Sequence, residues 1–226
     1  MPAVEAAGLA FLEDLRKDAG LNPLPLDERL REAARREMAG DGSVEANEGI
    51  RLAGYAGSWS YSSVTMTLGS GDDAVTRLKA YMATNRAKLA TSFNKATLTD
   101  MAVGAWQEGN QVKVAFYNGS RPFDLTQVRI GAGPHGTRTL VGRATLRAGQ
   151  RFDRAKVRVD DQLYAHTYWI KPGESFEFHA SVPATGRHEV VLWGSEPNDS
   201  TFRGAVGTFV IDGDKPLATT FVGAMK

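Results

Sequence analysis

The sequence predicts an α+β protein of two domains, with helices and strands mixed over residues 1–120 and an antiparallel β-sandwich over 121–226. Three observations predict it. Apolar residues recur at helical spacing in the first forty residues. The helical pattern ends at Ser120, and Pro122 follows. Beyond that point about seven short alternating segments are separated by turn clusters, the pattern of a sandwich of immunoglobulin-like size.

Val4, Ala7, Phe11, Leu12 and Leu15 lie at the spacing of one helix, which Gly20 stops. Pro23 and Pro25 exclude helix from the linker 21–26. Asp27 is a fitting N-cap, Glu28 suits the first turn, and Leu30, Ala33, Ala34 and Met38 make the apolar stripe of a second helix. Its arginines alternate with glutamates, the pattern of a solvated face. A short helix is expected over 46–52 and a strand over 58–68. Val75, Leu78, Tyr81 and Met82 mark a third long helix, and 87–93 a shorter one. Strands over 101–107 and 111–117 close a hairpin through Glu108-Gly109-Asn110. In the second domain, strands are expected over 123–130, 138–146, 156–163, 175–182, 188–193, 205–211 and 218–222.

Composition narrows the function. Of 226 residues, 42% are hydrophobic and 23% charged, an ordinary globular balance. A net charge of +1 gives no reason to expect nucleic-acid binding. The absence of cysteine removes disulfides, thiolate metal sites and cysteine nucleophiles. No apolar run reaches the length of a membrane span, and the N-terminus lacks the basic and apolar regions of a signal peptide.

The order helix, proline linker, helix, strand, helix, hairpin, together with its wording, carries a resemblance. The stretches 11–16 (Phe-Leu-Glu-Asp-Leu-Arg), 19–24 (Ala-Gly-Leu-Asn-Pro-Leu) and 26–30 (Leu-Asp-Glu-Arg-Leu), then Ala33-Ala34, form an opening signature. Ala53-Gly54-Tyr55, Tyr81, Asn85-Arg86-Ala87-Lys88-Leu89, Ala102–Ala105 and Val114–Tyr117 follow in order. Over about residues 5–118 the chain resembles a bacterial domain of the CAP superfamily, which includes cysteine-rich secretory and plant pathogenesis-related proteins. The resemblance implies an α-β-α sandwich and a protein of the cell exterior, secreted or surface-held; a cytoplasmic location stays open. Many members line a cleft with two histidines and two acidic residues. Here His135, His166, His179 and His188 all fall in the second half, the family's Gly-Glu-Asn position falls on Tyr61-Ser62-Ser63, and its later histidine falls on Asn85. Without imidazole, metal ligation and neutral-pH base chemistry lose their usual group. The resemblance therefore implies a degenerate, non-catalytic member with no catalytic residue, metal or cofactor.

Binding candidates lie in the second domain. Residues 1–120 carry a net charge of −2 and residues 121–226 a net charge of +3. Within 129–158 stand Arg129, Arg138, Arg143, Arg147, Arg151, Arg154, Lys156 and Arg158 against one acid, Asp153. Guanidinium groups suit carboxylates, sulfates and phosphates, and on neighbouring strands these side chains would share a sheet face. Tyr168-Trp169 precedes a Pro-Gly turn near the surface, where an aromatic ring can stack on a sugar, whereas Trp193 reads as core. Arg138, Arg143, Arg147, Arg158 and Trp169 are the expected ligand-binding residues. The partner is an anionic glycan or a protein, without nucleic acid or membrane insertion. A hydrolase using the first domain's cleft and a structural subunit of a surface or virus-like assembly are the alternatives.

Overall fold

The computed structural model describes residues 1–40, 50, 55, 57–147, 149–160, 162–171, 173–195, 197, 205–212 and 215–216. The expected strand over 218–222, and the expected helix over 46–52 apart from residue 50, lie outside them. The chain is mixed α+β with mostly antiparallel sheets. It divides into two compact units, Met1–Tyr55 with Trp59–Ser120, and Arg121–Lys226 with Ala56–Ser58.

In the first unit, α1 (Pro2–Asp18) opens with proline in its first turn, where no amide partner is lost, and carries Arg16 and Lys17 at its negative end. Gly20, at φ +70°, turns the chain out of the helix so that the Leu21 amide reaches the Arg16 carbonyl at 2.9 Å. The proline linker is pinned to strand β2 (Asp100–Glu108). Met101 donates its amide to Pro25 at 3.1 Å, and its carbonyl accepts the Asp27 amide at 3.0 Å. Leu24 and Leu26 then enter the apolar clusters. Asp27 caps α2 (Glu28–Ala39), accepting from the amides of Arg29 and Leu30 at 2.9 and 3.3 Å.

Strands β1 (Ser58–Thr67), β2 and β3 (Gln111–Ser120) form a sheet in the order β1-β3-β2, and β2 and β3 are antiparallel. Both faces of β2 and β3 are covered. Met101, Val103, Val112, Val114 and Phe116 meet Leu12 and Leu15 of α1, Leu78 and Met82 of α3 (Ala74–Thr84), and Leu89 and Phe93 of α4 (Arg86–Phe93). Alternate residues Ala102, Ala115 and Tyr117 meet Leu30, Ala33, Ala34 and Met38 of α2. Gly104 permits that second contact, because a Cβ there would sit 2.5 Å from the Ala34 Cβ.

In the second unit, β4 (Phe123–Ala132), β5 (Thr137–Leu146) and β9 (Ser175–Pro183) form one antiparallel sheet in the order β4-β5-β9. The other sheet runs β12-β11-β10-β6-β7, with β8 also on β6. Its strands are β6 (Arg154–Val159), β7 (Gln162–Leu163), β8 (Tyr168–Trp169), β10 (Arg187–Ser195), β11 (Ala205–Asp212) and β12 (Lys215–Pro216). Phe123, Leu140, Ala144, Phe178 and Val182 from the first sheet pack with Ala155, Val157, Val159, Val190 and Leu192 from the second, forming one core.

One expectation is corrected here. The strand expected over 156–163 is a hairpin of β6 and β7. Val157, Val159 and Leu163 continue a strand-like alternation, but Asp160 takes φ +49°, a left-handed turn that Asp tolerates. The short pairing of Tyr168-Trp169 with β6 had no separate expectation. Near it, two tyrosines occupy backbone groups of β9: the Tyr168 hydroxyl donates to the His179 carbonyl at 3.1 Å and accepts its amide at 2.8 Å, and the Tyr164 hydroxyl donates to the Ser181 carbonyl. Side chains there do for a sheet edge what a neighbouring strand would do.

Candidate functional site

The alternation of β6 builds the site. Ala155, Val157 and Val159 point into the core, so Arg154, Lys156 and Arg158 share the outer face. Pairing sets their neighbours. Trp169 lies opposite Arg154 across β8, while on β10 Ser195, Trp193 and Val191 lie opposite Arg154, Lys156 and Arg158. The Arg154 guanidinium lies over the Trp169 ring, 5.6 Å from its centroid, and donates to Asp153 at 3.0 Å and Ser195 Oγ at 3.3 Å. The Arg158 guanidinium lies over Trp193 at 5.3 Å and reaches Glu189 at 3.5 Å. Aromatic rings and cations therefore alternate along one face.

Two features separate this face from an ordinary solvated surface. Trp169 is 71% exposed, a large apolar ring left in water and steadied by a cation. Beside it, Trp193 Nε1 and Arg158 Nε are buried donors without a hydrogen-bond acceptor among the described residues. Such donors carry a cost unless an oxygen meets them. The exposed indole with a guanidinium over it suits a ligand with a flat apolar face and anionic oxygens.

The expected site residues do not gather as one patch. Arg138 and Arg143 are five residues apart on β5 and so point to opposite faces. Arg138 lies on the side of Leu140 and Ala144 and donates to the Ala184 carbonyl at 2.7 Å. Arg143 is exposed on the outer face of the sheet opposite to β6. Arg147 follows β5, donates to the Arg121 carbonyl at 3.4 Å and approaches Asp124 at 3.8 Å. Of the five, Arg158 and Trp169 stand on the tryptophan–arginine face. Arg154 and Lys156 join them there, although only the charge bias had marked them. Trp193, read as core, is half-buried under Arg158.

Histidines are dispersed. His166 lies in the loop before β8 with its ring edge-on to Tyr168. His179 is on β9 beside Glu177, and His135 is in the turn before β5. Among the described residues no group of three or more His, Asp or Glu side chains is placed to hold a metal.

In the first unit the polar groups act as internal ties. Glu5, 3% exposed, accepts from Arg35 at 2.7 and 2.5 Å and from the Ala105 amide at 3.1 Å. Burial pushes its pKa up, but these donors outweigh burial and hold it below the usual carboxylate value. Arg16, also 3% exposed, donates to the carbonyls of Asn22, Phe93 and Lys95 at 2.8, 2.7 and 3.2 Å, and so closes the end of α4. The Asp100 carboxylate accepts from Tyr55 and Thr99 at 3.0 and 2.7 Å.

The positions to which the resemblance assigns cleft residues hold other chemistry. Tyr61 stacks on Tyr117 with ring centroids 5.1 Å apart, and Tyr117 donates to Glu37 at 2.8 Å. Asn85 donates to the Tyr81 carbonyl and lines an open groove of about 390 Å³ with Met66, Thr67 and Arg77. Arg86 pairs with Asp18 and lies over Phe11, as a surface arginine does.

No family model and no curated protein matches the chain.

Proposed function

We propose that this is a non-catalytic binding protein of the cell exterior, secreted or surface-held, whose sandwich takes an anionic glycan on the tryptophan–arginine face. The first unit, in this reading, is a degenerate CAP-like scaffold, and the second is an immunoglobulin-like sandwich. The observation that carries the reading is Trp169, exposed and backed by Arg154. An indole ring offers the apolar face of a sugar a stacking surface. Guanidinium groups at its edge select carboxylate or sulfate. The scaffold role of the first unit is supported by its helices on both faces of a sheet and by its leucine-pinned proline elbow.

The test is co-sedimentation of the full chain with alginate, a carboxylated polysaccharide, with neutral dextran as control, from low to physiological salt. The expected result is alginate binding that weakens as salt rises and is lost in Trp169→Ala and Arg154→Ala, with no dextran binding. Wild-type binding retained in both variants would remove the face from the site. Absence of binding at low salt, together with oligomers that grow with protein concentration, would favour an assembly role instead.

A further inference from the structure

His188, the second residue of β10, has both ring nitrogens engaged. Nδ1 lies 2.7 Å from Asp160 Oδ2, and Nε2 lies 2.8 Å from the Thr185 carbonyl oxygen. Both partners are acceptors. A neutral imidazole carries one N–H and can satisfy only one of them; an imidazolium carries two. The ring joins two turns that are distant in sequence: the left-handed turn at Asp160, between β6 and β7, and the loop 184–186, between β9 and β10.

We propose that His188 is a proton-dependent latch, which in its imidazolium form ties the 184–186 loop to the β6–β7 turn and on deprotonation releases the loop. The inference is independent of the glycan reading. Which bond breaks follows from charge. The bond to the Asp160 carboxylate is charge-assisted and keeps the remaining N–H on Nδ1, so the bare Nε2 then faces the Thr185 carbonyl without a proton. Asp160 stays in place meanwhile, because its Oδ1 accepts the Glu189 amide at 2.8 Å and its own amide donates to the Glu189 carbonyl at 2.7 Å.

The surrounding charges are consistent with the latch. The hydrogen bond to Asp160 raises the His188 pKa above 6.5, burial and Arg138 of β5 oppose it, and the Thr185 carbonyl adds to it. Burial pushes Asp160 up, but His188, the Glu189 amide and Arg158 of β6 together hold it below the usual carboxylate value. Arg138 also donates to the Ala184 carbonyl, so one end of the loop stays anchored while Thr185 is freed.

The experiment is a pH titration of the full chain by two-bond ¹⁵N–¹H correlation of the imidazole nitrogens, with His188 identified by its loss in His188→Gln. Both nitrogens are expected to be protonated below a titration midpoint that lies above 6.5. Asp160→Asn suits the left-handed turn and replaces an acceptor with a donor. Its amide donates to Nδ1 while Nε2–H keeps Thr185, so the midpoint drops below that of the wild type and the ring is a single neutral tautomer. Amide exchange at Thr185 and Gly186, corrected for base catalysis, should rise about fivefold through the wild-type titration and stay flat in Asp160→Asn. A wild-type midpoint at or below 6.5, equal midpoints in the two proteins, or loop exchange that ignores the titration would overturn the latch.

Discussion

The two units use arginine in opposite ways. In the first, Arg16 is enclosed and spends its N–H groups on three backbone carbonyls, and Arg35 is locked onto the buried Glu5. In the second, Arg154 and Arg158 lie over the indole rings of the exposed Trp169 and the half-buried Trp193. A charge sum counts all four alike. What separates them is whether the partner groups would be left buried and unpaired on removal. That difference predicts large stability effects in the first unit and binding effects with little stability cost in the second.

The strongest break of this contrast is Arg16→Met. It strands the carbonyls of Asn22, Phe93 and Lys95, and should cost about 3 kcal/mol, read as a lower urea midpoint. Glu5→Gln comes next, at about 2 kcal/mol, because it leaves Arg35 without its carboxylate while the Ala105 amide keeps an acceptor. The wild type should show the same loss with acid. The folded-state pKa of Glu5 is depressed, so its contribution is fully present above the ordinary value of 4.5 and fades as pH falls through the folded value; Glu5→Gln should flatten that slope.

His188 has the opposite sign. Its folded pKa is raised, so its contribution is full below 6.5 and is lost as pH rises through the folded value. Stability in that window should fall with pH in the wild type and not in His188→Gln. The smallest effect belongs to the binding face. Arg158→Ala should cost less than about 1 kcal/mol, and Trp169→Ala should stay within about 0.5 kcal/mol of the wild type in the same urea assay. A loss of several kcal/mol at Trp169 would make it a structural residue and erase the contrast.

Much of the first unit was legible because its signals are local. Leu30, Ala33, Ala34 and Met38 keep helical spacing, and Asp27 caps the helix they define. The second unit was legible as strands but not as faces. Arg138, Arg143 and Arg158 looked like one basic cluster because they are near in sequence. Strand alternation and the assignment of β5 and β6 to different sheets disperse them. The break at Asp160 was hidden by the alternation of Val157, Val159 and Leu163. The pairing of Asp160 with His188 has no spacing signal, since β6 and β10 bring the two together across 28 residues. Trp169 could be named from its Pro-Gly neighbourhood, but its Arg154 partner depends on a two-residue strand that periodicity cannot show.

The most direct test is calorimetric titration of the full chain with a short oligo-uronate at low salt, wild type against Trp169→Ala. Saturable binding is expected in the wild type and at least about a tenfold loss of affinity in the variant, with an unchanged urea midpoint. Equal affinity in the two proteins would contradict the glycan reading and move the search for a ligand away from the tryptophan–arginine face.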